Sequence, residues 1–341
     1  MDPFSQAVLG AAFAQSFAKK KQIPLACVAG VFGGMAPDLD IFITSAIDPL
    51  LGIEFHRHFT HSLWFIPFGG LLVAMAISLV FKRYQWDFKQ IYIFTTLGIS
   101  THALLDACTS YGTRLFWPVS NARISWDTVS VIDPIPTMAL FIFVILSVRL
   151  RSAQMAKIGM ACALGYLSLG FLQNSRVTNA VEEIAGVRGH NVERLKLNPT
   201  LGNLIVWRST YQYDGRYYVD AVVAQPFSAP EIIAGSSVAA IDPETIYPEL
   251  GNNSTHRKDI RRFDYFAQGY LFSPKENVIA DLRYSAEPHK IQPIWGITLN
   301  PNKPNDHVGY GSFVTPGGRA LGTTWDMMTG NYSAQKETLA P

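Results

Sequence analysis

The hydrophobic residues of this chain are concentrated in its first half, where polar loops separate six apolar segments. These segments are Phe4–Ala18, Ile23–Ala36, Leu63–Phe81, Ile91–Ala107, Ile135–Leu150 and Ala156–Leu172. A helix that crosses a bilayer needs about 20 mostly apolar residues, with a lower limit of about 17. The third and sixth segments reach that limit, the fourth reaches it with ionisable residues inside, and the first two are short. The pattern predicts an all-α transmembrane bundle of four to six helices in residues 1–175.

The second half of the chain shows the alternation of an ordinary soluble domain. The predicted elements are a hairpin of Asn203–Tyr213 and Arg216–Val223, strands at Tyr270–Phe272 and Val278–Tyr284, and a helix at Pro243–Leu250. The hairpin prediction depends on Asp214-Gly215, because this pair is favoured in tight turns between strands. We therefore expect residues 176–341 to form a β-rich (α+β) soluble domain with a weakly ordered tail after Gly330.

Composition agrees with a membrane protein. Charged residues make up 16% of the 341 residues, below the roughly 25% of a soluble domain. The net charge of +2 gives no indication of a nucleic-acid partner. Cys27, Cys108 and Cys162 all lie in or beside apolar segments and form no CxxC pair, so we expect no disulfide framework.

Lysine and arginine in the short loops predict the orientation of the bundle, because these residues favour the cytoplasmic side. The basic loops at 19–21, 82–89 and 149–157 alternate so that they share one face. The opposite face then receives the 38–61 loop, the 108–134 loop and the polar second half. This arrangement predicts a multi-pass membrane protein with its soluble domain on the periplasmic or extracytoplasmic side.

Ionisable residues lie within or beside the apolar segments, on that same predicted face. They are Asp38 and Asp40, His56 and His61, and His102 and Asp106. Imidazoles and carboxylates together are the ligand set of zinc and related divalent metals, and ionisable groups at membrane depth usually have a partner or a function. His102 and Asp106 are one helical turn apart and can reach one ion. The alternatives are a structural histidine–carboxylate pair and a polar loop that touches lipid headgroups.

The roles within this set are open from the sequence alone. Pro37 disfavours helix at Ala36, so Asp38 either ligates a metal or caps a short helix. One of Asp38 and Asp40 is expected to be a ligand, and the other an outer partner or a general base. Arg57 either clamps an anionic oxygen or binds headgroups. Residues that could line the pocket are Arg114, Arg123, Asp127 and Asp133, and Arg283 could reach the site from the second half of the chain. The histidines of the second half are expected on the surface; they are His190, His256, His289 and His307.

The order of these motifs resembles the YdjM-like family of membrane-bound metal-dependent hydrolases. The motifs that carry the resemblance are Pro37-Asp38-Leu39-Asp40, His56-Arg57 with Phe59-Thr60-His61-Ser62, His102-x-x-x-Asp106, Thr109–Thr113 and Ile132-Asp133-Pro134, with Val206-Trp207-Arg208 and Asp281-Leu282-Arg283 in the second half. The resemblance implies a hydrolase of the bacterial inner membrane. Two positions depart from it: His58 stands in place of glycine, so it takes no ligand role, and Gln6 stands in place of a histidine found in some relatives. The H-x-x-x-D element is also distantly similar to zinc-dependent phospholipase C, which favours phosphoester substrates.

Together these observations predict a metal-dependent hydrolase that acts on a lipid or lipid-linked phosphoester. The predicted ligands of one or two divalent ions, with zinc as the expected metal, are Asp38, Asp40, His56, His61, His102 and Asp106. Asp40 is the expected proton acceptor, and Arg57 is expected to stabilise developing negative charge. Membrane lipid is the expected partner. The alternatives are a metal or proton transporter, a metal-dependent sensor, and a structural metal site whose coordination is filled by protein.

Overall fold

The structure is a computed structural model that describes residues 1–313, 319–332 and 336–337. The chain divides into two compact units. The helical unit consists of Met1–Phe42, Phe55–Phe171 and Leu201–Asn203, and the sheet unit of Ile43–Glu54, Leu172–Thr200 and Leu204–Pro341. Most of the tail after Gly330, for which weak order was predicted, lies outside the described residues.

Each of the six apolar segments forms a helix. In chain order the helices of this half are α1 (Pro3–Ser16), α2 (Ile23–Met35), α3 (Leu51–Phe55), α4 (Ile66–Val80), α5 (Phe88–Ala107), α6 (Pro134–Leu150) and α7 (Ala153–Val187). Three helical stretches among the described residues are long and apolar enough to cross a membrane, namely Lys20–Phe42, Leu63–Val80 and Ala153–Val187. Pro134–Leu150 is apolar but shorter. The number of four to six spanning helices stays a prediction.

The starts and ends of these helices follow from local sequence. Asp2 and Asp133 precede helices that begin with proline, and their carboxylates accept hydrogen bonds from the backbone N–H of Ser5 at 3.0 Å and of Ile135 at 3.3 Å. As Pro37 predicts, α2 ends at Met35, and the chain continues as a 3-10 helix over Ala36–Phe42. This change of helix type sets the directions of the two aspartates that follow.

Glycines bring α1, α2 and α5 unusually close. A Cβ atom added to Gly30 would lie 2.5 Å from the carbonyl oxygen of Gly10, and one added to Gly98 would lie 2.6 Å from that of Gly30. Both distances are too short for any side chain, so the backbones pack directly against each other, as small residues permit in membrane helices. This packing brings the second half of α5 beside the end of α2.

The sheet unit contains two antiparallel sheets. The first has the order β1 (Arg194–Pro199), β2 (Val206–Tyr213), β3 (Arg216–Val223), β4 (Glu231–Ala239), β9 (Lys336–Glu337), and the second the order β5 (Leu271–Lys275), β6 (Val278–Asp281), β7 (Trp295–Thr298), β8 (Gly309–Ser312). The predicted hairpin is confirmed as β2–β3, with left-handed backbone at Asp214 and Gly215 (φ 48° and 65°). The last part of α7 packs Val177, Val181 and Ile184 against the first sheet, around buried Trp207. The sequence-derived boundary after residue 175 therefore falls inside α7, which continues to Val187.

The predicted helix at Pro243–Leu250 is wrong: these residues form turns, and the α-helices that follow β4 in the described part of the chain are α8 (Thr255–Ala267) and α9 (Arg319–Thr329). The guanidinium of Arg257 explains the difference. It donates hydrogen bonds to the carbonyl oxygens of Pro243 and, at 2.6 Å, of Tyr247. The segment is thus held by a buried side chain of α8 rather than by its own helical hydrogen bonds.

Candidate metal centre

The centre of the site is on α5, where His102 and Asp106 are completely buried. Nε2 of His102 lies 3.7 Å from Oδ2 of Asp106, as expected for side chains one helical turn apart. On the other side of the ring, Nδ1 donates a hydrogen bond of 2.5 Å to the carbonyl oxygen of Gly34. A donating Nδ1 leaves Nε2 as the lone-pair nitrogen, which is the form of histidine that binds metals.

His61 meets this pair from the short 3-10 helix Phe59–His61. Its Nε2 lies 2.8 Å from Nε2 of His102 and 3.2 Å from Oδ2 of Asp106. Burial lowers the pKa of His61, but hydrogen bonding to the carboxylates of Asp106, Asp38 and Asp40 outweighs this and raises the pKa to about 10. The ring therefore keeps a proton until a competing cation takes its place.

Asp38 and Asp40 turn in different directions from their 3-10 helix. Oδ1 of Asp38 lies 3.4 Å from Nε2 of both His61 and His102. Asp40 is buried behind His61, where Oδ2 lies 3.2 Å from Nδ1 of that ring and Oδ1 lies 2.8 Å from Nδ1 of His56. Asp40 Oδ2 also accepts hydrogen bonds from the backbone N–H of Arg57 at 3.0 Å and from the hydroxyl of Thr60 at 2.8 Å. Asp38 thus faces the cluster, whereas Asp40 orients the two imidazoles.

Separations between the four facing atoms fit a tetrahedral metal. Bonds of about 2.0–2.1 Å to zinc place neighbouring ligand atoms about 3.3–3.4 Å apart. Nε2 of His61 and Nε2 of His102 lie 2.8 Å apart, and each lies between 3.2 and 3.7 Å from Oδ1 of Asp38 and Oδ2 of Asp106. Oδ2 of Asp38 has no hydrogen-bond partner within the described part of the chain, and Oδ2 of Asp106 contacts cationic groups, Nε2 of His61 at 3.2 Å and Nε of Arg57 at 3.0 Å. One buried and one largely buried carboxylate with two imidazoles are therefore a donor set that suits a divalent cation.

All six predicted ligands are brought together. Asp38, His61, His102 and Asp106 form one group that could hold an ion, and Asp38, Asp40 and His56 form a second group that shares Asp38 with the first. His56 is the most accessible imidazole, with a side chain that is 25% exposed. Its ring packs edge-on to Tyr111, with centroids 5.7 Å apart.

Arg57 lies beside the cluster and is buried. Its Nε is 3.0 Å from Oδ2 of Asp106, and Nη1 donates a hydrogen bond of 2.9 Å to the hydroxyl of Thr109. The guanidinium also covers the ring of Tyr111 at 4.7 Å. Arg57 has a left-handed backbone (φ 62°), a conformation that non-glycine residues rarely adopt and that is often found at functional sites. The surrounding contacts thus hold a cationic group next to the two buried carboxylates.

Sequence reasoning missed several polar groups that complete the site. Nε2 of Gln6 donates to Oδ1 of Asp106 at 2.9 Å, and the amino nitrogen of Met1 also contacts that oxygen. Thr60, Thr109 and the carbonyl of Gly34 were not singled out either. Gln6, Thr60 and Thr109 had a signal, since they stand at positions noted in the family resemblance; the amino nitrogen of Met1 and the carbonyl of Gly34 act through main-chain groups, which no side-chain pattern marks.

Other residues that were weighed lie elsewhere. The ring of His58 packs on Trp117, with centroids 5.3 Å apart, in keeping with the absence of a ligand role. Asp133 caps α6 and accepts a hydrogen bond of 2.6 Å from the hydroxyl of Tyr166. Arg283 is buried in the sheet unit, where it forms an ion pair of 2.7 Å with Asp281. The expectation that His256 and His289 lie on the surface is wrong, because both are buried.

Comparison with known proteins finds a family and relatives that match part of the chain. A family described as YdjM inner membrane protein matches residues 1–177. The uncharacterized protein YfhP of Bacillus subtilis (strain 168) is 27% identical over 107 residues, which is 31% of this chain and 32% of YfhP. The inner membrane protein YbcI of Escherichia coli (strain K12) is 27% identical over 113 residues, which is 32% of this chain and 63% of YbcI.

These matches are partial in length. The chain spans about a third of YfhP and under two thirds of YbcI. No solved structure matches the chain significantly. The family match includes every residue of the metal cluster and ends before the strands of the sheet unit, so the motifs noted at Val206–Arg208 and Asp281–Arg283 lie outside it.

Proposed function

The chain belongs to the YdjM inner membrane protein family, and from this premise and the geometry above we propose that it is a membrane-bound, metal-dependent hydrolase. The observation that carries the proposal is the buried cluster of Asp38, His61, His102 and Asp106 with the guanidinium of Arg57 beside it. A purely structural metal site would not need a buried arginine in a strained backbone conformation next to its ligands.

A bound divalent ion, with zinc as the proposed metal, supplies a Lewis acid that polarises the substrate and acidifies water. His61, His102, Asp38 and Asp106 would hold it. Arg57 then stabilises negative charge on a substrate oxygen, because its guanidinium is fixed by Thr109 and Tyr111 and needs no rearrangement.

We assign proton transfer during hydrolysis to His56 and Asp40 together. Both oxygens of Asp40 already accept hydrogen bonds, so we assign proton transfer to the His56–Asp40 pair rather than to Asp40 alone. Asp40 holds Nδ1 of His56, which leaves Nε2 of this partly exposed ring as the atom that accepts the proton. This is the usual arrangement of a carboxylate that orients a catalytic histidine.

We propose a lipid or lipid-linked phosphoester as the substrate. Asp38 lies near the end of the apolar stretch Lys20–Phe42, and His61 immediately precedes the stretch Leu63–Val80. If both stretches cross the bilayer, the cluster is at the depth of the headgroups, where a lipid phosphoester would meet it. The loop charges support an extracytoplasmic face for this site and for the sheet unit.

The test uses the full-length protein purified in detergent. We expect about one equivalent or more of a divalent metal by elemental analysis, and chelator-sensitive release of product from a panel of phospholipids and soluble phosphoesters. His102→Ala should lose both metal and activity, whereas His58→Ala, which removes a nearby imidazole outside the cluster, should keep both. A metal-free wild-type protein would contradict the proposal.

A structural metal centre is the second candidate. It is favoured by the count of four protein ligands, which is the usual number in structural zinc sites. In that case the metal-loaded protein would be inactive across the panel, and Arg57→Lys would leave metal binding and stability unchanged. A chelator would then lower the thermal stability of the helical unit without any activity to lose.

A further inference from the structure

The segment that joins the two halves of the ligand set packs in the other unit. Asp38 and Asp40 come just before residues 43–54, and His56 and His61 come just after them. The chain leaves the helical unit after Phe42 and returns to it at Phe55, so the connecting segment belongs to the sheet unit. The way in which this segment is held therefore affects both flanks of the metal centre through the covalent chain.

Arg262 of α8 is the main polar attachment of this segment. Its guanidinium binds both oxygens of Asp48, with Nη1–Oδ1 at 3.1 Å and Nη2–Oδ2 at 2.8 Å. Nε and Nη2 also donate to Oε2 of Glu54, at 2.9 and 2.7 Å. A further bond of 2.9 Å joins Nη1 to Asp259 on the same helix. The planar guanidinium of arginine can donate to several carboxylates at once, whereas the single ammonium of lysine cannot form the same paired hydrogen bonds.

These bonds matter because α3 has little stability of its own. It has five residues, none of them buried, whereas isolated helices need about 12–15 residues even to be marginally stable. Leu50, just before it, provides a buried apolar anchor. Asp48 lies before the start of α3 and Glu54 in its last turn, so Arg262 holds both ends of the helix that leads directly into His56.

The same carboxylates do not form a second metal site while Arg262 is present. Asp48, Asp259 and His307 are close enough to hold an ion together. However, the guanidinium already binds Asp48 and Asp259, and Oδ2 of Asp259 also accepts hydrogen bonds from Nδ1 of His307 at 2.9 Å and the backbone N–H of Val308 at 3.2 Å. The oxygens of Asp48 and Asp259 are therefore already used by Arg262, His307 and Val308, and we interpret the cluster as an ion-pair network.

We infer that Arg262 is a positioning residue for the metal centre. By fixing Asp48 and Glu54 it sets the path of residues 43–54, and with it the placement of Asp38 on one side and His61 on the other. The inference rests on the proposed metal-dependent function and adds a residue of the sheet unit to the determinants of that site. Outer partners of metal ligands typically change metal affinity by about 10–100-fold when they are removed.

The test compares Arg262→Gln with Arg261→Gln in the full-length protein in detergent, with Co²⁺ as the probe. Arg261 is the matched control, because it forms a similar two-pronged pair with Glu244, at 2.7 and 2.6 Å, on the exposed side of the same helix. We expect Arg262→Gln to weaken cobalt binding by up to about tenfold, less than the loss of a group bonded directly to a ligand, to change the visible spectrum of the bound ion, and to speed amide hydrogen exchange in residues 43–61. Arg262→Lys should restore binding only in part, and Arg261→Gln should behave as the wild type.

Each outcome decides the matter. If Arg262→Gln binds cobalt with the affinity and spectrum of the wild type, or loses only thermal stability, the positioning role is overturned and the proposed function stands. If the wild type itself binds no cobalt, the proposed metal centre fails, and the positioning role with it. Should Arg262→Gln not fold, Asp48→Asn and Glu54→Gln each remove one attachment; wild-type cobalt binding in both would equally overturn the inference.

Discussion

Asp38 and Asp40 are two residues apart, yet Asp38 faces the candidate metal cluster and Asp40 contacts its imidazoles from behind. Their spacing could not decide this, because side chains at i and i+2 share a side in extended backbone and diverge in a helix. The structure places both in a 3-10 helix, so they diverge. The residue types at the site could therefore be predicted from the sequence, whereas the division of roles depended on local backbone conformation.

This division predicts different effects of two matched substitutions. Asp38→Asn replaces a carboxylate that faces the cluster, so bound metal should fall well below one equivalent. Asp40→Asn removes the negative charge behind the cluster and replaces one of the two oxygens that accept from His56 and from the Arg57 backbone by a donor, so the metal stoichiometry should persist with affinity reduced by about 10–100-fold. Elemental analysis and titration against a competing chelator measure the two quantities. Equal effects of both variants would contradict the assignment.

A substitution of Arg57 can distinguish an effect on metal binding from an effect on the catalytic step. Arg57→Lys keeps the charge and the same unfavourable left-handed backbone but removes the planar fork that reaches Asp106 and Thr109. Activity should fall by about 10²–10³, as for the loss of one donor to a developing oxyanion, while bound metal is retained. Turnover and metal content measured on the same sample check this. Loss of the metal would show instead that Arg57 mainly supports Asp106.

Protons and metal should compete at His61. Since the pKa of this ring is raised to about 10 by the carboxylates around it, the metal-free protein holds a proton there at neutral pH. A cation must displace that proton, so apparent metal affinity should rise by up to about tenfold per pH unit as the pH increases towards that pKa. Titrations between about pH 6 and about pH 8 measure the slope. A flat profile would argue against His61 as a ligand.

At the scale of elements, hydrophobic patterning located the helices of the first half and the β2–β3 hairpin. It did not find α3 or the extension of α7 to Val187, because these depend on contacts with distant parts of the sheet unit rather than on their own patterns. The helix predicted at Pro243–Leu250 failed for the same reason, since Arg257 binds its carbonyl oxygens. The close packing of α1, α2 and α5 corresponds to a feature of the sequence, namely the glycines at the contacts between these helices.

The glycine contacts predict that Gly30→Ala lowers the stability of the helical unit, with Gly165→Ala as the matched control. In Gly30→Ala the new methyl would meet the carbonyl of Gly10 at 2.5 Å and the Cα of Ala11 at 2.8 Å, both of them backbone atoms that cannot turn aside. The helical unit should lose about 1–3 kcal/mol of stability, as for other overpacked sites. Gly165→Ala on α7 places its methyl where the structure has nothing within 4 Å among the described residues, so it should be neutral. Thermal unfolding in detergent compares the two.

At the scale of the whole molecule, the ligands converge from positions separated by up to 68 residues, between Asp38 and Asp106. Their gathering in one cluster was predictable because the topology expected from the loop charges places these loops on one face. The sequence did not indicate that residues 43–54, which lie between the proposed ligands, belong to the sheet unit. No local pattern in this segment indicates a partner on α8. Long-range pairing of charged side chains leaves no periodicity in a single sequence.

The orientation of the chain remains a prediction that labelling can decide. In a background without Cys27, Cys108 and Cys162, Glu249→Cys and Lys21→Cys each introduce a thiol at an exposed position. A membrane-impermeant maleimide applied to intact spheroplasts should label Glu249→Cys, because the sheet unit is expected outside the cytoplasm, and should label Lys21→Cys only after lysis. The reverse pattern would place the sheet unit in the cytoplasm.

Gly34 takes part both in the close packing of helices and in the orientation of a proposed metal ligand. It is one of the glycines through which α2 approaches its neighbours, and its carbonyl also fixes the tautomer of His102 by accepting from Nδ1. A substitution that only loosens the fit of two helices would free this imidazole to rotate, and would be detected first as a weakened affinity for metal. If the cluster binds a metal as proposed, the choice of residue along these glycine-lined helix contacts is subject to inorganic chemistry as well as to steric fit.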